Sequence, residues 1–215
     1  MPGLLVYQYI IIIAAIIGMV RFQCLHPYYI KWLVLLLILT IIAELFPAFK
    51  IIRFRGSNHW WFNIFTVIEF LAYSYIFSRA ITNPKTITII RWSIPGYFVI
   101  AIANIFFIQG FHKFHTISYR IGAIMIVVWC YLYFRQLLQS EQEIVLFKNP
   151  MFWISTGLLF FYLGFFVYMS AFDLIVYKKI GYNKELWRGI SYSLNTLLYS
   201  CFLIALLCPP KKAIS

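Results

Sequence analysis

The sequence predicts an all-α fold: a polytopic membrane helical bundle of about seven transmembrane helices in a single domain, 1–215. Three observations carry this. Of 215 residues, 63% are hydrophobic and 11% charged, and the mean hydropathy is +0.85, far outside the range of soluble globular chains. The apolar residues come in runs of about bilayer length, punctuated by Arg, Lys, Asn-Pro and Gly. Aromatic residues make up 21%, and Trp and Tyr gather towards run ends, where amphipathic rings anchor at the interface.

The first run is Leu4 to Val20, stopped by Arg21; at about 1.5 Å per residue it just spans a thin bilayer. The second, about Trp32 to Ile52, contains Glu44 and Pro47, and a kink is expected beside Glu44 because proline removes a backbone donor. The third, Asn58 to Ala80, opens on His59-Trp60-Trp61, closes on Arg79 and carries Glu69 at its centre. Asn83-Pro84-Lys85 reads as a turn. The fourth run is about Trp92 to Ile108, followed by a loop from Gln109 to His115; the fifth is about Tyr119 to Leu138. A polar connector, Gln139 to Lys148, precedes Asn149-Pro150, which starts the sixth run, about Met151 to Ile175. The seventh runs from about Trp187 to Cys208, ended by Pro209-Pro210.

The net charge of +12 does not point to nucleic acid, because the cations stand singly between apolar runs rather than along one basic face. They read as membrane-flank anchors. Cys24, Cys130, Cys201 and Cys208 show neither CxxC nor zinc spacing, so no disulfide framework is expected. No basic region precedes the first run and no cleavage site follows it, so no cleavable signal is expected. Arg21 and Lys31 follow the first run, whereas no Lys or Arg leads it; this places the N-terminus outside and the C-terminus in the cytoplasm.

Helical periodicity arranges the polar residues in stripes: Thr40 with Glu44, Thr66 with Glu69 and Tyr73, Ser93 with Tyr97 and Asn104, Ser155 with Tyr162 and Asp173, and Arg188 with Ser191, Asn195 and Tyr199. Glu44, Glu69, Asn104, Tyr162 and Asn195 each fall near the middle of their own run. They define a candidate ligand-binding layer at mid-depth. Ionisable groups there are costly and face a bundle interior, and two carboxylates, two amides and a phenol suit a cation, an amine or a proton. Two such carboxylates do not easily both stay ionised. The competing reading makes the same groups interhelical hydrogen-bonding glue.

A second cluster, His59, His112, His115 and Asp173, falls on one membrane face and offers a metal alternative of three histidines and a carboxylate. Seven-helix hydrolases of the ceramidase and adiponectin-receptor type use a zinc site of that sort. Their seventh helix carries ligand histidines, and this one carries none, so no metal and no cofactor are expected. GxSxG, Walker and HExxH motifs are lacking, as is a mid-helix lysine in the seventh run for a retinal Schiff base. Gly157 and Gly164, seven apart, mark close helix packing.

Asn63-Ile64 with Ile68-Glu69-Phe70, and Asn149-Pro150-Met151-Phe152-Trp153 with Gly157, carry a resemblance. The chain resembles the small stand-alone seven-helix integral membrane proteins of bacteria, some of which are similar to the seven-helix sensing modules of signalling kinases. The resemblance implies a multi-pass protein of the bacterial inner membrane and brings no catalytic residues with it. The expected function is a sensor or receptor-like module for a small polar or amphiphilic ligand. Its partners would be the lipid bilayer and a separate signalling protein. The alternatives are a membrane-embedded lipid-modifying enzyme and a transporter or channel subunit.

Overall fold

The computed structural model describes residues 5–48, 59–110, 113–140, 146–177 and 184–209, and the side chains of 46–48, 169–177, 184 and 187 are left out of the description. Among these residues there are seven α-helices and no strand: α1 (Val6–Val20), α2 (Ile30–Ala48), α3 (His59–Ala80), α4 (Pro84–Ala103), α5 (Thr116–Gln139), α6 (Pro150–Tyr177) and α7 (Lys184–Leu207). A π-helical turn, Asn104–Ile108, extends α4. Five of the seven, α3 to α7, are long and apolar enough to cross a membrane, and α1 is a shorter apolar helix. The protein is an all-α, multi-pass membrane bundle.

Two helix starts show why local chemistry fixes the boundaries. Asn83 Oδ1 accepts from the amides of Lys85 and Thr86, and Pro84 occupies the first helical position; proline suits that position because its missing donor would be unpaired there anyway. The Asn83-Pro84-Lys85 sequence is therefore the start of α4 rather than a separate turn, and α4 begins eight residues before the expected Trp92. Asn149 Oδ1 caps α6 in the same way, accepting from Met151 N at 3.0 Å. The expected kink at Pro47 falls in the last described turn of α2, beyond the residues whose side chains are described.

The helices alternate in direction. Tyr7 at the start of α1 meets Glu44 near the end of α2. Trp32 at the start of α2 meets Tyr75 near the end of α3. Asn63 near the start of α3 reaches Lys113 and His115 just before α5. Round the bundle, α1 packs on α2 and α7, α7 on α6, α6 on α5, and α3 on both α2 and α5, with α4 set against α3 and α5. The Arg21 guanidinium closes α1 onto α7 by donating to the carbonyls of Leu206 and Cys208, acceptors left free at a helix C-terminus.

Small residues set the closest approaches. A Cβ on Gly157 would stand 2.8 Å from Cys201 Cβ and one on Gly122 would stand 2.6 Å from the Phe70 ring, whereas one on Gly164 would meet only the tip of Leu194. The spacing of Gly157 and Gly164 thus serves α6–α7 packing, as expected from the sequence. Replacing Gly157 or Gly122 with Ala should destabilise the protein by roughly 1–3 kcal/mol through overpacking, set against the usual helix gain of about 1 kcal/mol from Gly to Ala. Gly96, with nothing within 4 Å of an added Cβ, should show only that gain. Thermal unfolding in detergent checks this: equal stability of the Gly96 and Gly157 variants would contradict the packing.

Candidate functional site

The face of α3 that turns inward carries Asn63, Phe70, Tyr73 and Phe77, spaced by seven, three and four, while Ile64 and Ile68 are exposed on the opposite side. Glu69 lies on the inward flank, next to Phe70, and is partly covered. Tyr73, one turn on, donates its hydroxyl to Glu69 Oε1 at 3.3 Å. Four more phenols stand within electrostatic reach of the same carboxylate: Tyr97 from α4, Tyr119 from α5, Tyr162 from α6 and Tyr199 from α7. Each of the five helices α3 to α7 thus supplies one tyrosine. The rings of Tyr97, Tyr119 and Tyr162 pack on Phe70, with centroids 5.4, 5.8 and 5.3 Å away, Tyr73 packs on Tyr162 at 6.3 Å, and Tyr199 meets Phe202 at 6.1 Å.

Helices α1 and α2 contribute the second carboxylate. Tyr7 donates to Glu44 Oε2 at 3.1 Å, Gln8 lies beside the same group, and the Tyr7 ring packs against Tyr192 and Tyr199 of α7 at 5.9 and 6.3 Å. Glu44 and Glu69 are close enough to act on each other electrostatically, and Tyr199 is within reach of both. The structure therefore brings together three of the expected residues: Glu44, Glu69 and Tyr162. Tyr162 is fully buried and stands beside Glu69, but its Oη makes no bond of full hydrogen-bond geometry.

The two amides go elsewhere. Asn104 is buried, but it begins the π-helical turn at the end of α4 and donates to Gln109 Oε1 at 2.9 Å and Ser118 Oγ at 2.7 Å. Its expected mid-helix depth followed from starting α4 too late. Asn195 turns its amide back to Ser191 O of its own helix at 2.8 Å. Glu44 also stands nearer the end of the described part of α2 than its middle. Tyr7 and Tyr119 are members of the site that sequence periodicity alone does not single out.

The histidines divide. His115 is buried at 5% exposure; its amide donates to Asn63 Oδ1 at 3.0 Å and its Nε2 lies 2.9 Å from Gly110 O. Asn63 Nδ2 in turn donates to Lys113 O at 2.9 Å, so one amide clamps the backbone leading into α5. His59 is exposed at the first residue of α3. His112 lies outside the described residues, as does the side chain of Asp173. Among the described residues, no three His, Cys, Asp or Glu side chains converge as a metal site would require. No family model, no curated protein and no solved structure matches this chain.

The Asn63 clamp makes a specific claim. Asn63→Ala should cost about 1–3 kcal/mol, since it leaves the buried amide of His115 and the partly buried carbonyl of Lys113 unpaired. Amide hydrogen exchange should quicken first in the segment leading into α5; exchange there unchanged from wild type would show that the clamp does not hold it.

Proposed function

We propose that this multi-pass membrane protein is a sensor or receptor-like module that takes a small amphiphilic cation against its Glu44–Glu69 polar set. The observation that carries the reading is the one-sided distribution of that set. Tyr7, Glu44, Asn63, Glu69, Tyr97 and His115 lie between the bundle's centre and the face where α1 begins. Towards the other face the interior is mainly apolar, filled by Leu33, Ile76, Phe77, Trp129, Met151 and Leu206 packed into one core. Its buried polar side chains are the small Ser74, Ser78 and Ser155, with the Asn149–Tyr133 pair at the edge, and no carboxylate stands among the described residues there. A polar wedge closed at one end suits binding from one side and a response of the surrounding helices. It suits a path through the membrane less well.

The ligand class follows from the donors and acceptors. Two partly accessible carboxylates attract a cation, and ring faces of tyrosine add cation–π attraction for an organic one. A groove of about 540 Å³ between α1 and α7, lined by Leu5, Val6, Tyr7, Tyr192, Thr196 and Leu197 among others, runs up to Tyr7. An alkyl chain would lie in that groove, with its ammonium group turned towards Glu44 behind the Tyr7 hydroxyl. Binding there acts on helices from both ends of the chain, and a separate partner protein reads the change. With α1 entering from outside, the groove opens on the outer leaflet of a bacterial inner membrane.

Alkylamines of about eight to twelve carbons test this reading. At a hundredfold excess over their dissociation constant they should stabilise the detergent-purified protein by about 2.7 kcal/mol. Alkyl sulfates of the same length should not. Glu44→Gln should remove most of the shift while leaving the fold, because Gln keeps the shape and accepts the Tyr7 bond. Equal shifts from amines and sulfates, or an undiminished shift in the Glu44 variant, would end the proposal.

A further inference from the structure

Tyr97 is 2% exposed, and its Oη has no protein partner of hydrogen-bond geometry. A buried hydroxyl left in that state is costly. The same side chain lines a cavity of about 10 Å³ together with Thr66, His115, Ser118 and Tyr119. That volume is close to the smallest space that admits one water molecule, and a buried water needs two to four polar partners. Three hydroxyl-bearing residues besides Tyr97, namely Thr66, Ser118 and Tyr119, belong to the lining. Ser118 Oγ already accepts from Asn104 Nδ2, so its own proton is free to be donated. Asn104 Oδ1 nearby is also buried without a partner.

We propose that this cavity is a hydration site: one water molecule bridges Tyr97 Oη to Ser118 Oγ and joins two polar layers of the bundle. On one side, Tyr97 and Tyr119 stand within electrostatic reach of Glu69. On the other side, Ser118 continues into a hydrogen-bonded file: Asn104 Nδ2 bonds Gln109 Oε1 at 2.9 Å, and Gln109 Nε2 bonds Thr116 Oγ1 at 2.9 Å. Gln109 is only partly covered, at the end of the π-helical turn where the α4–α5 connection begins. The water therefore extends the file from Gln109 and Ser118 as far as Tyr97, which stands within electrostatic reach of Glu69, along a route separate from the α1–α7 groove. The purpose of that link rests on the receptor reading, but the water itself does not, and its test involves no amine.

Two measurements decide it, and the first is a sign. With water in the cavity, Tyr97→Phe removes a hydrogen bond, and Tm should fall by roughly 2–4 °C. In a dry cavity the same change removes an unpartnered hydroxyl, so Tm would stay or rise. The second measurement is radiolytic hydroxyl labelling of the wild-type protein after rapid mixing into ¹⁸O-water. Tyr97 and Tyr119 should be oxidised well above Tyr133, which is equally buried but bonded to Asn149, and they should take up ¹⁸O more slowly than exposed Tyr131. A Tm unchanged or raised in Tyr97→Phe, or labelling of Tyr97 and Tyr119 no higher than that of Tyr133, would overturn the proposal.

Discussion

A carboxylate at the middle of a membrane helix has to be matched by polar groups from its neighbours, and much of this bundle is arranged around that requirement. Glu69 sits in a segment that is otherwise apolar enough to cross a bilayer, where an isolated ionisable group is expensive. Among the described residues, the groups that answer it are phenols. Tyr73, Tyr97, Tyr119, Tyr162 and Tyr199, one from each of α3 to α7, face it, while α1 and α2 add Tyr7 and Glu44. Tyrosine suits this position because one end of the ring packs as a hydrophobe and the other offers a hydroxyl. The ring packing that joins Phe70 to Tyr97, Tyr119 and Tyr162 is thus the same feature that lines the carboxylate.

The arrangement also divides the bundle into two halves of different character. On the side where α1 begins, polar side chains reach inward and the Asn63 amide fixes the entry to α5. On the other side the core is mainly apolar, with only the small Ser74, Ser78 and Ser155 as buried polar residues beside it, α6 and α7 touch through Gly157, and Arg21 ties α1 to the end of α7. The proposed receptor reading rests on this contrast between a tightly packed half and a more polar one.

The helices were legible in the sequence because hydropathy over twenty residues outweighs any single position. Gly157 and Gly164 were legible for the same reason, as small residues on one face of a long apolar helix. Glu69 stood out because a carboxylate in such a run is costly unless neighbouring helices offer it partners. The tyrosines were harder to read. In a membrane sequence, Tyr near a helix end serves as an interface anchor as readily as it serves a core, and Tyr7 and Tyr119 lie within a turn of their helix starts. Only packing tells the two uses apart. Asn104 and Asn195 were placed in the layer by periodicity, which gives a face but not a partner: one amide found Ser118, and the other found its own backbone. Reading Asn83-Pro84 as a turn hid the first eight residues of α4 and so misjudged the depth of Asn104.

The central claim is that Glu69 is energetically coupled to phenols on other helices. A double-mutant cycle between Glu69 on α3 and Tyr162 on α6 tests it most directly, using Glu69→Gln, Tyr162→Phe and the double variant, with stability measured by unfolding in detergent. Coupling of about 0.5–3 kcal/mol is predicted, the range found for groups sharing one network. Effects that add to within about 0.3 kcal/mol would contradict the account, because they would mean that the carboxylate and the phenol do not sense each other.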